Sequence, residues 1–261
     1  MFALLETPAD LRPWVRCIWT LHGDADAQPG PPIAPDGCCE WIVHVGQPPS
    51  MAAGEDWVRQ PREFLFGQLS APLQLHADRG MALLAVRFHP HAVAPLLRVG
   101  GSALLAQPLE LAQLDHRLRR FTAGDAHESV DAACAAMLAL LRRLARNARS
   151  VDPLVQEAMH CVESAPSQRV SGLSRQLLVS PRTLERRFLH GTGLGVKAYL
   201  RIRRMQQSLQ QLSRQHASAA DVAHALGYAD QAHLTRELVA LAGVRPRDVI
   251  EDARHGSAVM P

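Results

Sequence analysis

Apolar residues along the last third of the chain recur with a helical period, and the pattern occurs twice. Leu173 and Leu177 stand one helical turn apart, and Leu184 and Phe188 do the same, so each pair lies on one face of a helix. Fifty residues later the set returns: Leu184 matches Leu234, Phe188 matches Leu238, Gly193 matches Gly243, Leu194 matches Val244, Val196 matches Pro246 and Lys197 matches Arg247. Upstream the offset is 49, so Leu173 matches Val222 and Leu177 matches Leu226, and the second turn is one residue longer. A repeated unit is one physical task done twice. Two helices joined by a tight turn, the second with a polar outer face, form the pattern that lays a helix in the DNA major groove.

The first 100 residues follow a different period. Short apolar runs at 14–21, 39–45, 63–69, 73–76 and 81–89 read as strands, separated by Pro/Gly/Asp-rich turns such as 28–37 and 46–54. That alternation suits a small barrel or sandwich. Helices are predicted over about 91–98, 110–121 and 126–146. In the last, Val130, Cys134, Met137, Leu138, Leu141 and Leu144 recur at helical spacing, for packing on the barrel or pairing with a second subunit.

The repeat carries recognisable local chemistry. Ser180 followed by Pro181 is a helix start, with a side-chain oxygen to cap free amides and a proline at the first helical position. With Leu184 and Phe188 inward, Arg182, Glu185 and Arg186 share the other side. Arginine can bond guanine bidentately and glutamate can accept from cytosine N4. In the second copy Gly227 suits a left-handed helix end, and Asp230 can cap a helix from Gln231 to about Ala240. Leu234, Leu238 and Leu241 form its buried stripe. Gln231, His233, Thr235 and Arg236 then face outward, although His233 could equally be a surface histidine without a role. An ordinary amphipathic helix with a solvated face would explain either copy alone; the repetition argues against it.

Charge agrees with this reading. Residues 150–261 hold 14 Lys+Arg against 10 Asp+Glu, while residues 1–149 hold 14 against 15. Within 169–214 there are ten basic residues and one acid, Glu185. Lys197, Arg201, Arg203 and Arg204 fall on the helix after the first motif, where they would attract phosphate.

The runs Val179-Ser180-Pro181-Arg182-Thr183-Leu184-Glu185-Arg186-Arg187-Phe188 and Gly193-Leu194-Gly195-Val196-Lys197-Ala198-Tyr199-Leu200-Arg201 resemble the first half of an AraC/XylS-type DNA-binding domain. Leu226 to Arg236 and Ala242 to Arg247 resemble its second half. The resemblance spans about 152–252 and implies seven helices, with a linker helix over about 195–213 holding two recognition helices one DNA turn apart. Its base-reading positions fall on Arg182, Glu185, Arg186, Gln231, Ala232, His233 and Arg236. Phosphate contacts are expected from Ser180, Lys197, Arg203, Arg204 and Asp230. Three departures stand out: Leu178 replaces the usual small residue of the first turn, Leu234 and Leu238 stand where aromatics are common, and Val196 replaces a proline.

Leu11 to Trp19, Ala34 to Glu40, Phe66 to Leu69 and Val86 to Pro90 are similar to the cupin-like N-terminal domain of some AraC-type regulators. In that family this position senses a small molecule or mediates dimerisation. The expected fold class is therefore α+β: a β-rich cupin-like barrel with trailing helices over 1–149, an all-α domain with two helix-turn-helix motifs joined by a long helix over 150–255, and a tail over 256–261. The implied partners are double-stranded DNA, with RNA polymerase and a second copy of the chain as further candidates. No cofactor is expected, and the identity of any effector stays open. Pro35-Asp36-Gly37 reads as a turn, with ligand contact from Asp36 or Glu40 as the alternative.

Other chemistries find less support. The five cysteines (Cys17, Cys38, Cys39, Cys134 and Cys161) show no C-x-x-C spacing. Cys38 and Cys39 with His44 could form a thiol or soft-metal site, but strand alternation puts the two thiols on opposite faces. His89 and His91, with His44 or His76, could form a cupin-style metal site, which leaves a metal-binding sensor or enzyme as the alternative function. There is no Gly-rich phosphate loop, H-E-x-x-H or G-x-S-x-G, so no enzyme is expected. An apolar fraction of 47% suffices for buried cores. No apolar run reaches the length of a membrane span, and the N-terminus lacks a basic start followed by an apolar stretch, so a cytoplasmic protein is the simple expectation.

Overall fold

The structure, a computed structural model, describes residues 1–23, 31–76, 79–104, 108–109, 129–214 and 218–254. Strands β1 (Phe2–Leu5), β2 (Val15–Gly23), β3 (Glu40–His44), β4 (Ser50–Ala53), β5 (Asp56–Arg59), β6 (Glu63–Phe66), β7 (Leu75–His76), β8 (Met81–Phe88) and β9 (Pro108–Leu109) form two sheets. The larger has the order β1-β2-β8-β3-β6-β9 and the smaller β5-β4-β7. Every pairing is antiparallel; Trp41 stands opposite Val86 on one side and Leu65 on the other.

The two faces of the larger sheet feed separate cores. Ile18, Trp41, Val43, Leu65, Leu84, Val86 and Phe88 pack against helices α1 (Val93–Leu97) and α2 (Val130–Arg146). On the opposite face Ile42, Phe64, Phe66, Leu83 and Ala85 pack with Met51 of the smaller sheet and with Trp19, Leu21 and Leu73. With both faces covered, the middle strands have no solvent side. This explains why β3 and β6 read as short apolar blocks rather than alternating ones.

Among the described residues the expected barrel does not close: β1 and β9 end the larger sheet, and β4, β5 and β7 pair with one another. The β4–β5 hairpin lies partly within the stretch read as a turn. Its strands are short and β5 is exposed throughout, so no apolar alternation marked it. Helix α2 packs on the sheet, as one of its two expected uses required, and Ser129 caps it by accepting from the Ala132 amide at 3.1 Å. The start expected at 126, the helix expected over 110–121 and the tail over 256–261 lie outside the described residues.

From Pro153 onward the described chain is helical: α3 (Pro153–Ser164), α4 (Val170–Gln176), α5 (Pro181–Thr192), α6 (Val196–Leu212), α7 (Ala219–Ala225), α8 (Gln231–Ala242) and α9 (Pro246–Arg254). Leu173, Leu184, Phe188, Val196 and Tyr199 belong to one core; Met205, Leu212, Val222, Leu234 and Leu238 belong to another. Both draw on the long helix α6. Among the described residues no helix is long and apolar enough to cross a membrane.

Leu178 and Gly227, equivalent in the repeat, both occupy the left-handed region, at φ 54° and 69°. That conformation brings the Val179 amide onto the Ser174 carbonyl at 3.0 Å and the Tyr228 amide onto the Ala223 carbonyl at 2.9 Å. In the first turn a leucine bears the strain, with its side chain 91% exposed. Gly227→Ala is expected to lower stability by about 1 kcal/mol, because an L-residue is strained there. Leu178→Gly is expected to be neutral or stabilising. Chemical denaturation followed by the helical circular dichroism signal checks both; a stability loss of similar size in Leu178→Gly would contradict the account.

Candidate nucleic-acid interface

Each helix pair presents its second helix in the same way. Ser180 caps α5 by accepting from the Thr183 amide at 3.1 Å, and Pro181 opens the helix. Asp230 caps α8 by accepting from the His233 amide at 2.6 Å. Both helices end on a left-handed glycine, Gly193 and Gly243. Leu184 and Phe188, and likewise Leu234 and Leu238, are fully buried. The inward stripe fixes the rotation of each helix, so Arg182 and Arg186 on α5, and Gln231, Ala232 and Arg236 on α8, are exposed. Among the described residues no ion pair engages these three arginines.

Several other predicted contacts are already engaged within the protein. Glu185 turns back to the long helix and accepts from the Val196 amide at 3.2 Å. The N-cap of that helix is Gly195, which has no side chain, so Glu185 supplies the missing acceptor. His233 accepts from the Ala229 amide at 3.3 Å and lies edge-on to Tyr228. Beside the Asp230 cap, this gives the amide preceding the cap an acceptor at the same helix start. The Asp230 carboxylate is an anion occupied by its own helix, which does not suit it to a phosphate.

The basic stretch of the long helix is also redirected. Arg201 forms a bidentate pair with Glu237 of α8 at 2.8 and 3.0 Å. Arg204 lies 3.9 Å from the same carboxylate and stacks 4.4 Å above the Tyr228 ring. Arg203 donates to Gln206 at 2.5 Å, and Gln206 donates in turn to the Pro35 carbonyl of the N-terminal region. Arg201 and Arg204 tie α6 to α8, and Gln206 ties it to the N-terminal region, so Arg203 and Arg204, expected to meet phosphate, have partners within the protein. Of the four predicted cations on this helix Lys197 is the exposed one.

One bond was not anticipated. Arg187 of α5 forms a bidentate pair with Asp152, which also caps α3 through the Leu154 amide at 2.9 Å. The Asp152-Pro153 helix start was the available signal, but its partner lies 35 residues away. Arg187 holds the Asp152 carboxyl below its usual range, and Arg201 does the same for Glu237.

The residues raised for metal or thiol chemistry have separate neighbours. Cys39 lies in the core under α1 and α2, whereas the Cys38 thiol receives Arg16 at 3.7 Å. His44 bonds Gln60 at 3.0 Å, and burial pushes it down to about 4. The His89 and His91 rings stack at 5.6 Å, with His89 on the Arg12 carbonyl. His76 lies against Trp57. Among the described residues no three His, Cys, Asp or Glu side chains gather as a metal-binding group. Asp36 and Glu40 are engaged with Arg87 at 3.3 and 2.7 Å, and Glu40 also accepts from Trp19.

Comparison with known proteins follows the same division. Residues 173–252 match a helix-turn-helix domain family, and residues 5–110 match a domain of unknown function, DUF6597. The chain is 31% identical over 99 residues to a putative AraC-like transcription regulator of Streptomyces lividans, a match covering 37% of this chain. It spans about a third (33%) of the length of that relative. Among solved structures, an AraC-type regulator from Chromobacterium violaceum is similar over 39% of this chain and 92% of its own, at 21% identity and a TM-score of 0.37. ToxT from Vibrio cholerae is similar over 96% of this chain and 98% of its own, at 10% identity and a TM-score of 0.49.

The Glu237 pairing predicts a pH dependence. The folded carboxyl titrates below its unfolded range, so its contribution is present above the unfolded pKa of about 4.3 and is lost as pH falls through the folded value. Glu237→Gln is therefore expected to be less stable than wild type at pH 7, with the gap closing in acid. Denaturation midpoints across pH 3–7 check this; a gap independent of pH would assign the loss to packing instead.

Proposed function

We infer that this chain, an AraC-type helix-turn-helix protein with an N-terminal domain of the DUF6597 family, is a sequence-specific DNA-binding transcription regulator. The observation that carries this reading is the duplicated helix pair. Helices α5 and α8 are capped, buried and terminated alike, and both present free polar side chains outward. In this reading α4–α5 and α7–α8 are two helix-turn-helix units in successive major grooves. The domains run over 1–149 and 150–255.

Arg182, Arg186, Gln231 and Arg236 are the base readers, since arginine matches guanine and glutamine matches adenine bidentately. Phosphate is met by Lys197 and by the amide-rich start of α5 at Ser180. Glu185, His233 and Asp230 shape the reading helices rather than touch bases. The N-terminal domain supplies control, through an effector of unknown identity or through pairing of subunits; its edge strand β1, with Phe2 and Leu4 exposed, offers a surface for the latter. Such a regulator works in the cytoplasm, where bound beside a promoter it would recruit or exclude RNA polymerase.

Selection from a random duplex pool with the full-length protein, at near-physiological salt, tests the reading. Two short motifs about one helical turn apart are expected. On the selected site, Arg186→Ala and Arg236→Ala should each cost about 1–3 kcal/mol and relax specificity locally. Lys197→Ala should weaken all sequences alike and reduce the salt slope by about one. No enrichment of any motif would overturn the regulator reading, and unchanged affinity in an arginine variant would remove that residue from the interface.

A further inference from the structure

The N-terminal region touches the helical region at several places, and two of them are equivalent. The 3-10 turn Gly101–Leu104 and helix α1 lie against α5. The approach at Gly101 is backbone to backbone: a side-chain carbon there would stand 2.1 Å from the Leu189 carbonyl oxygen and 2.5 Å from the Gly193 amide nitrogen. Gly193 is the C-cap of the first reading helix. Its repeat counterpart, Gly243, is the C-cap of the second, and there Pro32 and Pro72 lie 3.2 to 3.5 Å from where a side-chain carbon would stand.

Between these points one segment of the N-terminal region crosses the long helix. Ile33 is pinned to Leu73 by paired backbone bonds of 2.8 and 2.9 Å, which joins Pro32 to Pro72. Ala34 packs on the core of the second helix pair, and the Pro35 carbonyl accepts from Gln206 at 3.4 Å. Gly37 lies under the Tyr199 ring, with room for no side chain: a carbon there would stand 2.7 Å from the ring edge. The segment 32–37 thus forms a strap from the second C-cap back to the first turns of α6. Gly101 holds the first C-cap.

We propose that the N-terminal region is a brace that grips both helix pairs at once, and that Gly101, Pro32, Pro72 and the 32–37 strap are positioning residues that set the distance between the two reading helices. For its consequence on DNA the proposal rests on the regulator reading above. The two pairs have separate cores, so α6 and its arginine pairs with Glu237 are their internal link. A second link spanning both C-caps closes a loop of contacts, and a closed loop resists the bending and twisting that a single helix permits. One base pair of altered site spacing moves the second motif by about 3.4 Å along the duplex and rotates it about the axis. A braced protein should refuse that change, and a loosened one should accept it.

The test uses the full chain, with spin labels carried on non-natural residues at His190 and Ala240, which are exposed and equivalent in the repeat. The label-to-label distance distribution is measured by pulsed electron resonance in wild type, Gly101→Ala and Pro72→Gly. Gly101 lies outside the left-handed region, so alanine there strains the seam and not its own backbone. Pro72→Gly removes contact without adding atoms and serves if Gly101→Ala fails to fold. In parallel, unlabelled proteins are titrated with the selected site and with versions one base pair longer or shorter.

The expected result is a narrow distribution in wild type that broadens in both variants. Wild type should discriminate against altered spacing by roughly tenfold, the scale of a mismatched base, and the variants by a few-fold at most. A distribution that is already broad in wild type, or unchanged in both variants, overturns the brace. Broadening with unchanged spacing discrimination overturns its role on DNA. Broadening in a protein whose wild type selects no motif supports the brace and removes the regulator reading instead.

Discussion

The helical region depends on one helix serving two cores. The 17 residues of α6 place Val196, Tyr199, Leu200 and Ile202 in the core of the first helix pair, and Met205 and Leu212 in that of the second. At about 1.5 Å per residue this helix is about 25 Å long. Its buried stripe fixes how each pair is rotated about it, so whatever one pair presents outward bears a set relation to the other. The Arg201–Glu237 pair and the Arg204–Tyr228 stack lie where α6 meets α8, and Glu185 closes its open N-terminus. The polar bonds refine an orientation that apolar burial has already imposed. Burial is the larger energy, while partly exposed ion pairs contribute little each.

Electrostatics illustrates the cost of reading charge locally. The stretch 169–214 holds ten cations and one acid, and as a sequence it looks like an open basic face. In the fold, acids from outside that window reach three of its arginines: Asp152 takes Arg187, and Glu237 takes Arg201 and approaches Arg204. Among the described residues, Arg169, Arg175, Arg182, Arg186, Lys197 and Arg214 of that window stay exposed and outside any ion pair; Arg182 and Arg186 lie on the outer face of α5, and Arg236 is the counterpart of Arg186 in the second pair. A net charge counted along the chain gives long-range attraction but does not identify which cations are available to a partner.

The sheet region shows the same division between pattern and partner. Glu40 and Arg87 stand directly opposite on neighbouring strands, joined by Trp19 and Asp36, so a charged cluster lies among apolar strands. Burial pushes the Glu40 carboxyl up while Arg87 opposes it. A carboxylate in such a place is tolerated because its lone pairs are matched. Nothing local in the sequence announces that match, because the partner lies 47 residues on.

By itself the sequence determined the helices of the repeat, the caps that start α5 and α8, their inward stripes and their duplication. Each of these depends on residues within a turn or two of one another, at spacings set by the helical period. It also located most strands of the N-terminal half, though neither the short exposed hairpin nor the open sheet order, since pairing joins segments far apart in the chain. Among the candidate site residues, Arg182, Arg186, Gln231 and Arg236 could be placed outward from the stripe alone. The fates of Glu185, His233, Arg203 and Arg204 could not, because a polar side chain on an outward or lateral face goes to whichever donor or acceptor the fold brings near. The seam between the two halves was decided only by tertiary structure. There glycines approach backbone and proline rings across 88 to 211 residues of chain, and no local periodicity encodes such a contact.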